Sequence, residues 1–165
     1  MTALHHTDHL QIARRVNFSF VIPDRLAGMG MPSSGYTPEI ILFLKECRIQ
    51  TVVNLSGRDD GLADHFQLLR EDVSDFSTPA PEQIDRVWEA WLQLPLDKAM
   101  VVHCEAGIGR AGTTLACLIG RQLHLPGAAA IEFVRAIRYG SVETRSQETF
   151  IENYLLDRCQ QTSGK

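Results

Sequence analysis

The segment Val101-Val102-His103-Cys104-Glu105-Ala106-Gly107-Ile108-Gly109-Arg110-Ala111-Gly112 constrains the fold of this chain more than any other. It follows an apolar run (Ala99, Met100, Val101, Val102) short enough for a buried strand. It precedes Thr113 to Leu125, where Leu115, Leu118, Ile119 and Leu123 recur at the three-to-four spacing of a helix face. A strand, a glycine-rich loop and a helix in that order aim the loop at a helix N-terminus, an arrangement of α/β proteins. Gly107 and Gly109 can take the positive backbone angles that turn successive amides toward one point, and such a point binds anions.

With Cys104 and Arg110 at its two ends, the loop suits a phosphate monoester. Arg110 offers a planar pair of donors to two phosphate oxygens, and the positive field of the cradle favours Cys104 as thiolate, the form that attacks phosphorus. The bare cysteine-arginine spacing is weak, expected by chance in about 0.3 chains with four cysteines and 13 arginines in 165 residues. His103, the three glycines, the preceding strand and the following helix supply the context that the chemistry needs.

Attack by a thiolate on a phosphate ester leaves an alkoxide or phenoxide that a carboxylic acid must protonate. Asp75 is the best placed of the 20 acidic residues, in the proline-bounded loop Asp75-Phe76-Ser77-Thr78-Pro79 just before a helix, and Asp72 is the runner-up. Such chemistry requires no cofactor and no metal.

The segment His103-Cys104-Glu105-Ala106-Gly107-Ile108-Gly109-Arg110 resembles the signature of the cysteine-dependent protein tyrosine phosphatases, and the whole chain resembles their small atypical dual-specificity branch. Further similar segments are Asn17 to Pro23 with Arg25-Leu26-Ala27-Gly28, Asp75 to Pro81, and Gly140-Ser141-Val142-Glu143-Thr144. The resemblance implies a central mixed sheet flanked by helices. It assigns Cys104, Arg110 and Asp75 to catalysis through a phosphocysteine and Glu105 to Arg110 to phosphate binding. His103, Glu143 and Gln147 become auxiliary candidates, Glu143 assisting protonation and Gln147 holding water; each of the last two can equally be a helix-start residue. Arg58 either lines the entrance or pairs with its acidic neighbours. In one place the sequence departs from the pattern: the serine or threonine usual after the arginine is Ala111, so the hydroxyl that would stabilise the departing thiolate is missing.

Phosphotyrosine in proteins is the favoured substrate, with phosphoserine and phosphothreonine next. Glu105, Ala106 and Ile108 put no base in the cradle, and a net charge of -4 with pI near 5.8 argues against nucleic acid and anionic membrane as partners. A phosphoprotein-binding module without turnover, and sulfur-transferring or arsenate-reducing enzymes, share the activated cysteine but do not explain Asp75.

One domain over residues 17–160 fits the length and the 44% hydrophobic content. A cytoplasmic monomer is expected, without a membrane span or secretory signal, its four cysteines reduced. Residues 1–16, with His5, His6 and His9, read as a flexible tail rather than a metal site. Strands are expected at Phe18 to Ile22 and Thr51 to Leu55, and helices from Thr37, over Pro81 to Leu94, and near 127–138 and 146–159. Cys47 and Cys117 are expected as core filler.

Overall fold

In a computed structural model, residues 6–33 and 35–162 are described, the side chains of His6 and of residues 159–162 excepted, so His5 and the Cys159 thiol lie outside the described residues. Five strands form one sheet in the order β1-β2-β5-β3-β4: β1 Ser19–Ile22, β2 Leu26–Gly30, β3 Ile49–Asn54, β4 Gln67–Arg70 and β5 Ala99–Cys104. Only β1 with β2 is antiparallel; β2, β5, β3 and β4 run parallel. The mixed sheet flanked by helices is as expected. Every residue of β5 is buried, because the central parallel strand is covered on both faces; this explains its unbroken apolar run.

On one face lie α3 Pro81–Gln93, α4 Gly109–Leu123, α5 Gly127–Ile137 and α6 Arg145–Thr162. Their core is built from Ile84, Val87, Trp91, Leu115, Leu118, Ile119, Val134 and Ile151, and it takes Met100, Val102 and Cys104 from β5. On the other face, α1 His6–Arg15 and α2 Pro38–Glu46 bury Ile12, Val16, Ile40, Phe43 and Leu44 against Ala99 and Val101. Strand alternation therefore sends Cys104 to the α4 side and His103 to the opposite side.

The N-terminal residues differ from expectation. Residues 6–15 form α1, and His9 meets Glu46 at 2.6 Å and stands edge-on to the Phe43 ring, with centroids 5.4 Å apart. Among the described residues up to Val16, only Ile12 in the helix and Val16 just after it are buried, too few to show a helical period in the sequence. Strands β2 and β4 also escaped the sequence pattern: β2 (Leu-Ala-Gly-Met-Gly) is wholly buried and does not alternate, and β4 is a short, half-exposed edge. Helix α4 begins four residues before Thr113. Its glycines cost helix propensity but admit close neighbours: a Cβ on Gly112 would come 2.9 Å from Ser141 Cβ and Val142 N. Pro38 and Pro81 open α2 and α3 as expected, the former behind the capping hydroxyl of Thr37. Cys47, half-buried, and Cys117, fully buried, are free thiols, and burial foremost pushes the first up to about 11 and the second higher still. Neither is poised for chemistry. Among the described residues no helix is long and apolar enough to cross a membrane.

Candidate active site

Cys104 ends β5 and Gly109 starts α4, so residues 105–108 make the whole turn between sheet and helix. Each carbonyl of the turn is held from outside. Met31 N–H donates to Cys104 O (3.0 Å) and Glu105 O (2.8 Å), Asn17 Nδ2 to Ala106 O (3.2 Å), and Arg138 Nη2 to Gly107 O (2.7 Å). Ile108 O accepts from Gly112 N–H (2.9 Å) and Val142 N–H (3.3 Å). A planar peptide points its N–H opposite to its C=O. The amides of residues 105–109 are thereby turned away from these partners and toward the interior of the loop. Among the described residues, none of the N–H groups of residues 105–108 donates to a protein acceptor. Gly107, at φ 73°, lies so close to Met29 and Gly30 of β2 that a Cβ there would overlap their backbone atoms. Here glycine is required twice, by its torsion and by the approach.

Arg110 occupies the first turn of α4, with only 4% of its side chain exposed. Nη1 is tied to Val73 O (2.9 Å) and Leu55 O (3.5 Å), which fixes the plane of the guanidinium. Its remaining edge carries Nε, buried and without a partner among the described residues, and Nη2, which meets Asp75 Oδ1 at 3.1 Å. That edge is the two-pronged donor suited to a phosphate.

Asp75 itself is exposed, on a loop anchored around it. Glu71 is buried and gripped by Arg86 of α3 through Nε (2.6 Å) and Nη2 (2.7 Å). Gln83 donates to Asp72 O (3.1 Å) and accepts from Ala80 N–H (2.8 Å), while Gln147 Nε2 donates to Ser77 O (3.1 Å). Asp72, the other candidate acid, lies beside Gly57, whose Cβ would be 3.6 Å from its carboxyl carbon. The fold brings Asp75, and not Asp72, to Arg110.

Glu143 and Gln147 flank Gly109. A Cβ on Gly109 would collide with the Glu143 carboxylate and stand 3.1 Å from Gln147 Nε2. Gln147 is fully buried and its polar atoms are engaged: Oε1 accepts from Glu143 N–H (2.8 Å) and Thr144 N–H (3.2 Å), and Thr144 Oγ1 accepts from Gln147 N–H (3.2 Å). This reciprocal pair caps α6. Gln147 thus stands at a helix start, one of the two roles weighed for it, but buried and with a tie to the acid loop in addition. Val142, beside them, holds φ 63°, a strained torsion for a β-branched residue. Arg135 secures that turn through Ser141 O (2.9 Å) and Val142 O (2.8 Å).

His103 faces away from the loop. Its Nε2 meets Asp60 Oδ2 at 3.0 Å, and both side chains are wholly buried. Asp60 also accepts from Asn54 Nδ2 (2.7 Å) and Leu62 N–H (3.0 Å). Burial works to raise the Asp60 carboxyl, but the His103 and Leu62 hydrogen bonds outweigh it and hold the group below the ordinary carboxylate value. Asn54 further binds Arg58 O (2.8 Å) and Ser56, fixing loop 55–61, from which Arg58 reaches Glu105 at 2.8 Å on the rim. Arg58 thus pairs with an acid, though with Glu105 of the cradle and not with its sequence neighbours. Asp60, Asn17, Arg135 and Arg138 were not singled out by sequence reasoning. The short polar residues Asn54, Ser56 and Asp60 after a strand signal turn chemistry; the arginines carry no such mark.

Residues 15–151 match the family described as "Swiss Army Knife protein, DSP-PTPase phosphatase domain". The chain belongs to this dual-specificity phosphatase family. It is 29% identical over 165 residues to human dual specificity protein phosphatase CDC14C, covering 90% of this chain and 36% of the relative. To mouse CDC14B it is 27% identical over 165 residues, with 90% and 33% covered. The chain spans about a third of the length of these relatives. Among solved structures, a mutant form of Tk-PTP superposes with TM-score 0.71 at 26% identity, covering 87% of this chain and 96% of that one. PTPMT1 in complex with PI(5)P gives 0.77 at 14% identity, covering 88% and 98%, a likeness of fold.

Proposed function

We propose that this dual-specificity phosphatase domain hydrolyses phosphate monoesters on protein tyrosine, and on serine and threonine, through a phosphocysteine intermediate. The observation that carries this reading is the loop of residues 104–110. The carbonyls of residues 104–108 are held from outside, the amides of residues 105–108 donate to no protein acceptor among the described residues, and Arg110 turns its Nε–Nη2 edge beside the one carboxylate that reaches it among those residues. In the first step the Cys104 sulfur attacks phosphorus, the bond to the leaving oxygen breaks, and Asp75 gives that oxygen its proton. In the second, water attacks the phosphocysteine, Asp75 receives a proton from the water, and the sulfur departs as thiolate. The amides and Arg110 bind the equatorial oxygens, where transition-state charge accumulates. Glu143, lying over Gly109, is a second carboxylate at the cradle, and Gln147 keeps the acid loop in place through Ser77.

The Glu105–Arg58 pair supports a phosphoprotein substrate over a polyanion, since it leaves the rim without an unopposed cation at that point. Free thiols at Cys47, Cys104 and Cys117 suit a reducing compartment, and the cytoplasm is our proposed location, with the domain acting as a monomer. The test is hydrolysis of an aryl phosphate and of a phosphopeptide panel by wild type, Cys104→Ser and Arg110→Lys. Turnover by wild type, none by Cys104→Ser despite retained phosphopeptide binding, and a loss on the order of 10² in Arg110→Lys are expected. Binding without turnover in the wild type would replace the enzyme by a phosphoprotein-binding module.

A further inference from the structure

Arg138 is the C-cap of α5 and is 4% exposed. Its Nη1 lies among Asn17 O (2.9 Å), Ser19 Oγ (2.7 Å) and Gly28 O (2.9 Å), and its Nη2 donates to Gly107 O (2.7 Å). No carboxylate among the described residues forms an ion pair with it. A guanidinium taken out of water without an anion is costly, and mutual attraction with a neighbouring anion is what ordinarily compensates. Burial, the chief cause, pushes Arg138 down to about 10, so the compensation it receives comes from the four oxygens that surround it. The backbone also makes room for this side chain. A Cβ on Gly28 would stand 2.9 Å from Arg138 Nε and 3.0 Å from its Cζ, so glycine in β2 admits the guanidinium.

We infer that Arg138 is a positioning residue of the cradle, a buried cation that fixes the Gly107–Ile108 peptide with its N–H toward the bound anion. The inference rests on the phosphatase reading for its kinetic consequence, though not for anion binding. The Gly107 carbonyl accepts from Arg138 Nη2 at one end of the peptide, and the Ile108 N–H at the other end is left for the substrate. Arg110 touches substrate from α4, whereas Arg138 acts through the loop.

The experiment compares vanadate binding, followed by isothermal titration calorimetry, with kcat/KM for an aryl phosphate. Arg138→Met should weaken vanadate binding about tenfold or more, as expected when an aimed N–H to a charged oxygen is lost, and kcat/KM should fall by at least as much. Arg138→Lys retains the charge but cannot span four oxygens, so both should recover only in part. A folded Arg138→Met with wild-type vanadate binding overturns the inference. If circular dichroism shows Arg138→Met unfolded, Arg138→Lys decides alone, and wild-type values in both measurements overturn it. A wild-type protein that binds vanadate but hydrolyses no ester refutes the phosphatase reading only, and the binding arm still tests Arg138.

Discussion

Replacing Asp60 by alanine tests whether the loop 55–61 and the end of β5 stand on one buried carboxylate. Asp60 accepts three hydrogen bonds, from His103 Nε2 (3.0 Å), Asn54 Nδ2 (2.7 Å) and Leu62 N–H (3.0 Å). In Asp60→Ala, Asn54 Nδ2 keeps Arg58 O (2.8 Å), but His103 Nε2 and Leu62 N–H lose their acceptor. Each orphaned buried donor costs about 1–3 kcal/mol, so with two of them the variant should lose about 2–6 kcal/mol. That is a large share of the roughly 5–15 kcal/mol that holds a domain together. A tautomer change does not rescue His103, because its Nδ1 is buried without a partner among the described residues and would then carry the unpaired proton. Asparagine should be nearly as damaging, since its amide meets a donor on one side or the other. The assay is urea unfolding followed by tryptophan fluorescence; with a slope of about 2 kcal/mol/M, the midpoint should fall by about 1–3 M. The pH dependence has a definite sign. The folded carboxyl lies below its ordinary value, so its contribution is complete above about pH 4 and disappears as pH falls through the folded value, an acid dependence that Asp60→Ala should lack. A loss under about 1 kcal/mol would refute the reasoning, because the two orphaned donors would then have found other acceptors or water.

Asp75→Asn should slow hydrolysis of a serine or tyrosine ester by about 10²–10⁴ and of nitrophenyl phosphate much less, because a good leaving group needs little protonation; equal losses on both place the acid elsewhere. Ala111 is buried, Thr113 Oγ1 is committed to Gly109 O (2.8 Å), and among the described residues no hydroxyl donates to Cys104 Sγ, so thiolate departure should be slow by about 10–150-fold. Rapid quench should show a product burst equal to the enzyme concentration, which Ala111→Ser shrinks while raising the steady rate; no burst and no gain mean that the second step is not limiting. Gly107→Ala should abolish the cradle, with kcat/KM down more than about 100-fold and a lowered melting temperature; near-wild-type turnover would show that the loop does not need φ 73°.

The parts of the site legible in sequence are those made by neighbours along the chain. Cys104, the glycines and Arg110 lie within seven consecutive residues, and the strand-to-helix turn that joins them follows from the apolar run of β5 and the period of α4. The Thr37 cap, the prolines opening α2 and α3, and the fully apolar centre of the sheet are local or compositional in the same way. Segments whose identity depends on distant partners were silent. Strand β2 is a strand because β1 and β5 supply its hydrogen bonds and its burial, whereas Leu-Ala-Gly-Met-Gly by itself favours nothing. Helix α1 is held by two apolar residues and the Glu46 contact, which no local period reveals.

Sequence by itself determined that Cys104 and Arg110 would bound a glycine-rich turn from a strand into a helix N-terminus, because hydrophobic periodicity and glycine torsions act over a few residues. It could offer Asp75 as a candidate acid ahead of Asp72 but could not bring it to Arg110; loop 71–80 reaches the cradle only because Glu71, Gln83 and Gln147 fasten it to α3 and α6. Nor could it find Arg138, Asn17 and Met31, which come from three separate segments and hold the loop carbonyls outward. Only tertiary structure decides such contacts, since a peptide can be oriented for binding only by partners that satisfy its opposite end, and those partners are brought together by packing rather than by order along the chain.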